Sequence, residues 1–304
     1  MKIVFMGTPS YALQILQELI LNDFEIVCVV TQEDKVVGRK QILTPPIVKE
    51  WILKSGKNIK IFQPKSLKEE WIKYEIENLK PDFIVVAAYG KILPKSILDI
   101  APCINLHTSI LPKYRGASPI QSAILDGLEI SGVTAMKMDI GLDDGDILDI
   151  EYIDIKNLKS DEVFEKMSKV AANLTIKVLN NYKNIKPVKQ NHALATSCKK
   201  IKKMDGIIKF SDCVDIVMRK FRAFYPWPGI FLENGTKLLD IKISSNLRNF
   251  ELGRISNLKK DSFSIQFQDG EIEILKLQEI GKKPIFAKDF INGKRLKIDD
   301  KFCY

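Results

Sequence analysis

The sequence predicts an α/β protein: a Rossmann-type, doubly wound parallel sheet in an N-terminal domain, followed by a smaller domain of short strands at barrel-like spacing. Three observations predict it. Short apolar strands alternate with amphipathic helical segments through the first three-fifths of the chain, which is the pattern of stacked βαβ units. Two of those strands, over residues 24–30 and 83–88, are apolar but for Glu25, as strands covered on both faces are. The rest of the chain then changes to short strands separated by turn residues, with one helical segment. A length of 304 residues allows two domains with separate cores.

The elements follow in order. Residues 2–6 read as a first strand, and residues 11–21 carry Leu13, Ile15, Leu16, Leu19 and Ile20 at helical spacing. The turn between them is Gly7-Thr8-Pro9-Ser10-Tyr11, which lacks the G-x-G-x-x-G that lets a backbone approach a pyrophosphate. No G-x-x-x-x-G-K-[ST] phosphate loop occurs either, so the pattern predicts a Rossmann-type sheet without a dinucleotide. After the second strand, residues 31–43 form a polar loop with Gly38-Arg39-Lys40 at its tip, overhanging the carboxyl edge of the sheet. It reads either as a basic arm for an anionic partner or as a solvated surface loop. Pro45 and Pro46 open a second helix through Ile47, Val48 and Trp51. Residues 59–62 are a third strand, 69–79 a helix, 83–88 a fourth strand and 103–107 a fifth. Strands over 132–138 and 147–155 flank an acidic loop, and 161–179 is a helix that closes the first domain. Residues 180–207 are polar and weakly periodic, as a linker is, and short strands over 231–232, 237–243, 253–255, 262–267 and 271–277 follow, with a helix over 214–223. The domain division read from this is 1–186, a linker over 187–206, and 207–304.

Composition bounds the function. No apolar run is long enough for a membrane span, and the early Gly7-Thr8-Pro9 break makes the apolar start a strand, not a signal peptide. Five cysteines without C-x-x-C spacing and two histidines form neither a disulfide framework nor a zinc site, which predicts reduced thiols in a cytoplasmic protein and no metal. Residues 1–186 hold 24 basic and 24 acidic side chains, whereas residues 187–304 hold 23 and 14 and so carry the whole net charge of +9. A neutral part joined to a basic part suggests that the second part meets a polyanion; lysines that merely solvate a surface would give the same count.

The candidate chemistry sits in residues 103–120. Asn105 and His107, two apart on a strand, project from one face. A neutral imidazole can take a proton from an attacking amine, an amide N–H can donate to a developing oxyanion, and a carboxylate can hold the imidazole tautomer. Asp143, Asp144 and Asp146 are the carboxylates available. No G-x-S-x-G elbow is present, so direct acyl-type transfer between two substrates is preferred to a covalent intermediate. A lone strand histidine is also compatible with a purely structural role. Phe224-Tyr225-Pro226-Trp227-Pro228 reads as a tight turn packed on a core in preference to a base-stacking platform.

The stretch Asn105-Leu106-His107-Thr108-Ser109-Ile110-Leu111-Pro112, with Tyr114-Arg115-Gly116 and Pro119-Ile120-Gln121, resembles the folate-dependent formyltransferases. The resemblance extends to Gly132-Val133-Thr134, to Met138-Asp139-Ile140-Gly141-Leu142-Asp143-Asp144-Gly145-Asp146, to Phe5–Pro9 and Ala88–Pro94, and to Arg222–Gly229. Within the family it is closest to members that formylate a charged tRNA. It implies Asn105, His107 and Asp143 as catalytic residues. It implies Ser109, Ile110, Leu111 and Pro112, with Tyr89, Gly90, Ile92 and Leu93, around 10-formyltetrahydrofolate, the formyl donor. It implies Arg39, with Lys40, as the tRNA-contacting tip of the 31–43 loop, although Val36-Val37-Gly38-Arg39-Lys40 is poorer in proline and glycine than is usual there. It also implies an OB-like barrel as the second domain, initiator methionyl-tRNA as acceptor, and a monomer. A formyltransferase for a sugar-nucleotide amine, a glycinamide ribonucleotide enzyme and a non-catalytic RNA-binding protein are the competing readings; the basic loop and long basic second half weigh against the first two, and the intact Asn105, His107 and Asp143 against the third.

Overall fold

The computed structural model describes residues 1–38, 41–247 and 249–302. The chain divides into two compact units, one of residues 1–120, 130–155 and 162–199, the other of residues 121–129, 156–161 and 200–304. Along the chain the first elements are β1 (Lys2–Gly7), α1 (Ser10–Leu21), β2 (Glu25–Val30), β3 (Lys35–Val37), β4 (Ile42–Thr44), α2 (Ile47–Ser55), β5 (Lys60–Phe62), α3 (Glu70–Asn78), β6 (Phe83–Ala87), α4 (Lys95–Leu98), β7 (Cys103–His107) and β8 (Arg115–Gly116). They continue with α5 (Pro119–Leu125), β9 (Ile130–Lys137), β10 (Ile147–Asp154), α6 (Ser160–Asn181) and β11 (Ser197–Cys198).

The first unit is built on a seven-stranded sheet in the order β10-β9-β7-β6-β1-β2-β5. The five strands from β7 to β5 are parallel, as the sequence predicts. The sheet is nevertheless mixed, because β9 runs antiparallel to β7 and β10 antiparallel to β9. The acidic loop joining β9 to β10 is too short for a parallel crossover, so the pair forms a hairpin. Chain order reverses direction between β1 and β6, which puts the topological switch point at the carboxyl ends of those two strands, beside Thr8 and Tyr89. The Thr8 hydroxyl donates to the Tyr89 carbonyl there, at 3.3 Å.

Ile3, Val4, Phe5, Met6, Ile84, Val85 and Ile104 are wholly buried along the central strands. Helix α1 covers one face through Tyr11, Ala12, Ile15, Leu16 and Leu19, and its Tyr11 hydroxyl donates to the Leu106 carbonyl on β7 at 3.0 Å. Gly7 is needed for this packing: a Cβ there would come within 2.4 Å of the Ala12 Cβ and 3.0 Å of the Ala87 oxygen. The first βα turn thus uses its glycine for close helix–strand approach alone.

The loop expected over 31–43 contains a small hairpin in which Lys35, Val36 and Val37 face Thr44, Leu43 and Ile42. Val36, Val37, Ile42 and Leu43 are exposed. Arg39 and Lys40, the residues expected to contact tRNA, lie outside the described residues. Residues 187–199, expected to belong to a linker, are bonded into the first unit: Val188 pairs with Ile147, and β11 pairs with β8.

The second unit adds β12 (Ile207–Ile208), α7 (Val214–Ala223), β13 (Ile230–Leu232), β14 (Lys237–Ser245), β15 (Ile255–Leu258), β16 (Phe263–Gln266), β17 (Glu271–Gln278), β18 (Ile285–Phe286) and α8 (Ala287–Lys294). Its sheet has the order β12-β13-β14-β17-β16-β15, with β18 also against β17, so this is the strand-rich domain the sequence predicts. Phe263 lies opposite Ile274 and Ile265 opposite Ile272, which puts these four side chains on one buried face. Phe290 of α8 and Phe302 close over Phe263 at ring separations of 5.8 and 5.5 Å. Helix α8 is absent from the sequence reading, because only Ala287 and Phe290 of its eight residues are buried and no periodic stripe marks it. Among the described residues no helix is long and apolar enough to cross a membrane. Replacing Phe263 with Ala removes the ring on which two others rest; the second unit should lose about 3–5 kcal/mol, read as an earlier transition in urea denaturation.

Candidate active site

Strand β7 delivers Asn105 and His107 to one face, opposite Met136 and Thr134 of β9. His107 is only 6% exposed. Its Nε2 lies 2.9 Å from the Tyr114 carbonyl oxygen. A carbonyl only accepts, so Nε2 carries the hydrogen and Nδ1 is left as the second ring nitrogen. Nδ1 faces Asp143, 3.7 Å from Oδ2. The same Oδ2 accepts from the Gly116 backbone N–H at 2.9 Å, and Oδ1 accepts from the Asn105 side-chain amide at 3.4 Å. One carboxylate therefore joins the amide, the imidazole and the turn after β7. Of the three candidate carboxylates, Asp143 is the one brought to Asn105 and His107.

Gly116 belongs there for two reasons. Its φ is +117°, and a Cβ would stand 2.3 Å from the Cys198 carbonyl oxygen of β11. Only a residue without a side chain lets β8 lie against β11 while its N–H points at Asp143. Asp143 itself has a left-handed backbone, with φ of +50°, which an aspartate tolerates at some cost unless its neighbours hold it.

Gln190 does so, and nothing local in the sequence marks it. It is 5% exposed, and its amide N–H groups donate to the carbonyls of Asp143 at 2.9 Å and Gly145 at 2.7 Å. Its oxygen accepts from Arg115 Nε and Nη2 at 3.1 and 2.6 Å. The Arg115 guanidinium also reaches Nδ1 of His192 at 3.3 Å, so the second histidine of the chain joins the periphery of the same network.

The turn after β7 is held by hydroxyl groups. Thr134 donates to the Ser109 carbonyl at 2.6 Å and accepts from the Leu111 N–H at 3.1 Å. The Ser109 hydroxyl donates to the Lys113 carbonyl at 2.7 Å. Ser109 and Leu111 are buried, while Ile110 and Pro112 are half-buried. On the neighbouring loop, Tyr89 and Leu93 pack into the core with Val4, Met6 and Ile97, whereas Ile92 is 77% exposed. Gly90 has φ of +81°, and the Tyr89 carbonyl accepts from the Gln32 amide at 2.8 Å. Beside the acidic loop lies a cavity of about 570 Å³, lined by Lys95, Lys137, Asp144, Asp146, Gln190 and others. None of the eight residues expected around the formyl donor lines it. On these two loops, the buried Asp144 Oδ1 and the buried Tyr89 hydroxyl have no hydrogen-bond partner among the described residues. No group of three or more His, Cys, Asp or Glu among the described residues could hold a metal, and burial pushes the Cys28 and Cys103 thiols up to about 12.

The sequence matches known proteins along nearly its whole length. Residues 1–179 match the formyl transferase family and residues 200–295 its C-terminal domain. A methionyl-tRNA formyltransferase from Campylobacter hominis is 61% identical over 301 residues, covering 99% of both chains. The chain belongs to the methionyl-tRNA formyltransferase family. A second relative of the same description, from Campylobacter fetus subsp. fetus, is 56% identical over 304 residues and also 99% covered on both sides. Among solved structures, HypX from Aquifex aeolicus in complex with tetrahydrofolic acid shares the fold at a TM-score of 0.66 and 16% identity; the match covers 97% of this chain and 48% of that one, so the chain spans about half of HypX.

Burial pushes the Tyr89 phenol up to about 12, from an ordinary value of 10.0. Replacing Tyr89 with Phe deletes a buried hydroxyl that lacks a partner, so it should raise stability by about 1 kcal/mol at neutral pH. The folded state binds this phenolic proton more tightly than the unfolded chain does. That contribution is complete below pH 10 and is lost as pH rises towards 12, so the advantage of the Phe variant should widen over that interval in urea melts.

Proposed function

We propose that the protein transfers the formyl group of 10-formyltetrahydrofolate to the α-amine of methionine esterified to initiator tRNA, giving N-formylmethionyl-tRNA for translation initiation. The observation that carries the proposal is the Asp143 carboxylate bridging Asn105 and His107 on one strand face. Relatives named methionyl-tRNA formyltransferase over 99% of the chain favour this acceptor over a sugar-nucleotide amine, and equally over a non-catalytic RNA-binding role.

The residues divide the chemistry among them. The new bond joins the methionine nitrogen to the formyl carbon, and the bond that breaks joins that carbon to the donor nitrogen. With its Nε2 hydrogen engaged by the Tyr114 carbonyl, His107 exchanges protons through Nδ1. Asn105 donates to the oxygen on which negative charge develops, an interaction worth most in the transition state. Asp143 keeps a negative charge beside Nδ1, so a proton taken there is stabilised. The folate supplies an activated formyl group. Asp144 lines the cavity beside the acidic loop, and its buried Oδ1, without a partner among the described residues, suits an N–H donor on a polar heteroaromatic ligand. Tyr89, Gly90, Ile92 and Leu93, with Ser109 to Pro112, are assigned to the donor site by the family resemblance and not by this cavity, which none of them lines.

The acceptor is held elsewhere. Residues 187–304 carry the whole net charge of +9, which suits phosphate contacts along a tRNA. Arg39 and Lys40, expected from the resemblance to contact the tRNA, add two further cations to this reading. We place the enzyme in the cytoplasm as a monomer; its four described cysteines form no disulfide with one another.

Asn105→Ala, His107→Ala and Asp143→Ala should each lower kcat by about 100-fold or more while substrate binding persists. Near wild-type kcat in all three would sink the assignment. Methionyl-initiator tRNA should be formylated in preference to methionyl-elongator tRNA, and its affinity should fall steeply between low and physiological salt. Affinity that ignores salt would refute the polyanion grip.

A further inference from the structure

We propose that Gln190 is a positioning residue for the transfer reaction: its side-chain amide holds the Asp143 loop in its catalytic geometry by donating to the carbonyls of Asp143 and Gly145. The proposal rests on the formyl-transfer reading, because it acts through Asp143.

The geometry is specific. Asp143 must turn its carboxylate to Gly116, Asn105 and His107 from a left-handed backbone. A loop in that conformation is otherwise free to relax, and a shift of about 1 Å would break contacts that already stand at 3.4 and 3.7 Å. The Gln190 amide restrains the loop at the carbonyl of Asp143 and again two residues on, at Gly145. Gln190 is itself fixed. The Val188 and Ile147 backbones bond reciprocally at 2.8 Å on its N-terminal side, and Arg115 grips its oxygen from the strand that ends in Gly116. Both supports of Asp143, the Gly116 N–H on its carboxylate and the Gln190 amide on its carbonyl, are therefore tied together through Arg115. All four hydrogen-bonding positions of this buried amide are used, which only a glutamine in this one orientation permits.

Glu and Met separate the two halves of the side chain. Gln190→Glu keeps the size and the acceptor for Arg115 but loses both N–H donors; Gln190→Met keeps the size and loses everything polar. Assayed at pH 8 in the full-length protein, with charged initiator tRNA and 10-formyltetrahydrofolate, both variants should lose about 30- to 100-fold in kcat, with KM for either substrate changed by no more than about threefold. Combined with Asp143→Ala, Gln190→Glu should add nothing further, since its effect passes through a residue already removed. Near wild-type kcat in Gln190→Glu, a loss confined to KM, or full additivity with Asp143→Ala would each overturn the proposal. So would failure of both variants to fold, which would mark Gln190 as structural only. An inactive wild-type protein would remove the formyl-transfer reading, and this inference with it; an active wild type with an active Gln190→Glu removes the inference alone.

Discussion

The site depends on a single carboxylate held from two directions. Asp143 accepts from the Gly116 N–H and the Asn105 amide and faces His107, so the strand, the turn and the acidic loop share one anchor. Each partner comes from a different part of the sequence. Strand β7 brings Asn105 and His107 through the parallel sheet; the β8–β11 pairing aims the Gly116 N–H; the antiparallel hairpin of β9 and β10 carries the acidic loop back over the end of β7. The two antiparallel strands at this sheet edge therefore have a purpose. A further parallel crossover would have carried the chain away from β7 before the loop could return.

His107 shows how strongly the fold restricts its chemistry. One ring nitrogen is committed to a backbone carbonyl by a residue, Tyr114, whose φ of +60° turns that carbonyl inward. Once Nε2 is a fixed donor, the tautomer is decided and Nδ1 alone can exchange a proton. The Cys198 thiol also donates to this carbonyl, at 3.4 Å, and β11 carries that cysteine into place. Strand β11 thus supports both the carbonyl that fixes the imidazole and the glycine that fixes the carboxylate.

Much of this was legible in the sequence wherever period and residue type carry the information. The apolar runs at β2, after Glu25, and at β6 read as buried parallel strands because the sheet is covered on both faces there. Asn105 and His107 share a face because strand side chains alternate. Helix α7 stands at the residues its spacing marks. Other features depend on contacts between distant segments and leave no local trace. Gln190 sits in a polar, lysine-rich run that looks like a linker, and its importance comes wholly from partners some 45 to 75 residues away in the chain. The hairpin of β3 and β4 is too short for alternation to be read, and its four aliphatic side chains stay exposed. Helix α8 is anchored by the buried Ala287 and by Phe290, whose ring stacks on Phe263. Spacing left three aspartates equivalent; the backbone of the loop distinguishes Asp143 from Asp144, whose Oδ1 is buried without a described partner.

Burial makes this arrangement strong and also makes it fragile. The His107 and Asp143 side chains are 7% and 12% exposed, so water screens their interaction little. In such surroundings a carboxylate that loses its hydrogen-bond donors costs far more than those bonds contribute, because it cannot be resolvated. In the proposed reaction the contacts of Asn105, His107 and Asp143 loosen and re-form during turnover, so these groups alone would not keep the site in register. The restraint has to come from groups that take no part in proton transfer and meet the loop through its backbone. A neutral amide is suited to this, because it donates to carbonyls without adding a charge beside the imidazole. A lysine or arginine in the same place would hold the loop equally firmly, but it would compete with His107 for the Asp143 carboxylate. Arg115 directs its guanidinium to the Gln190 oxygen and to His192 Nδ1.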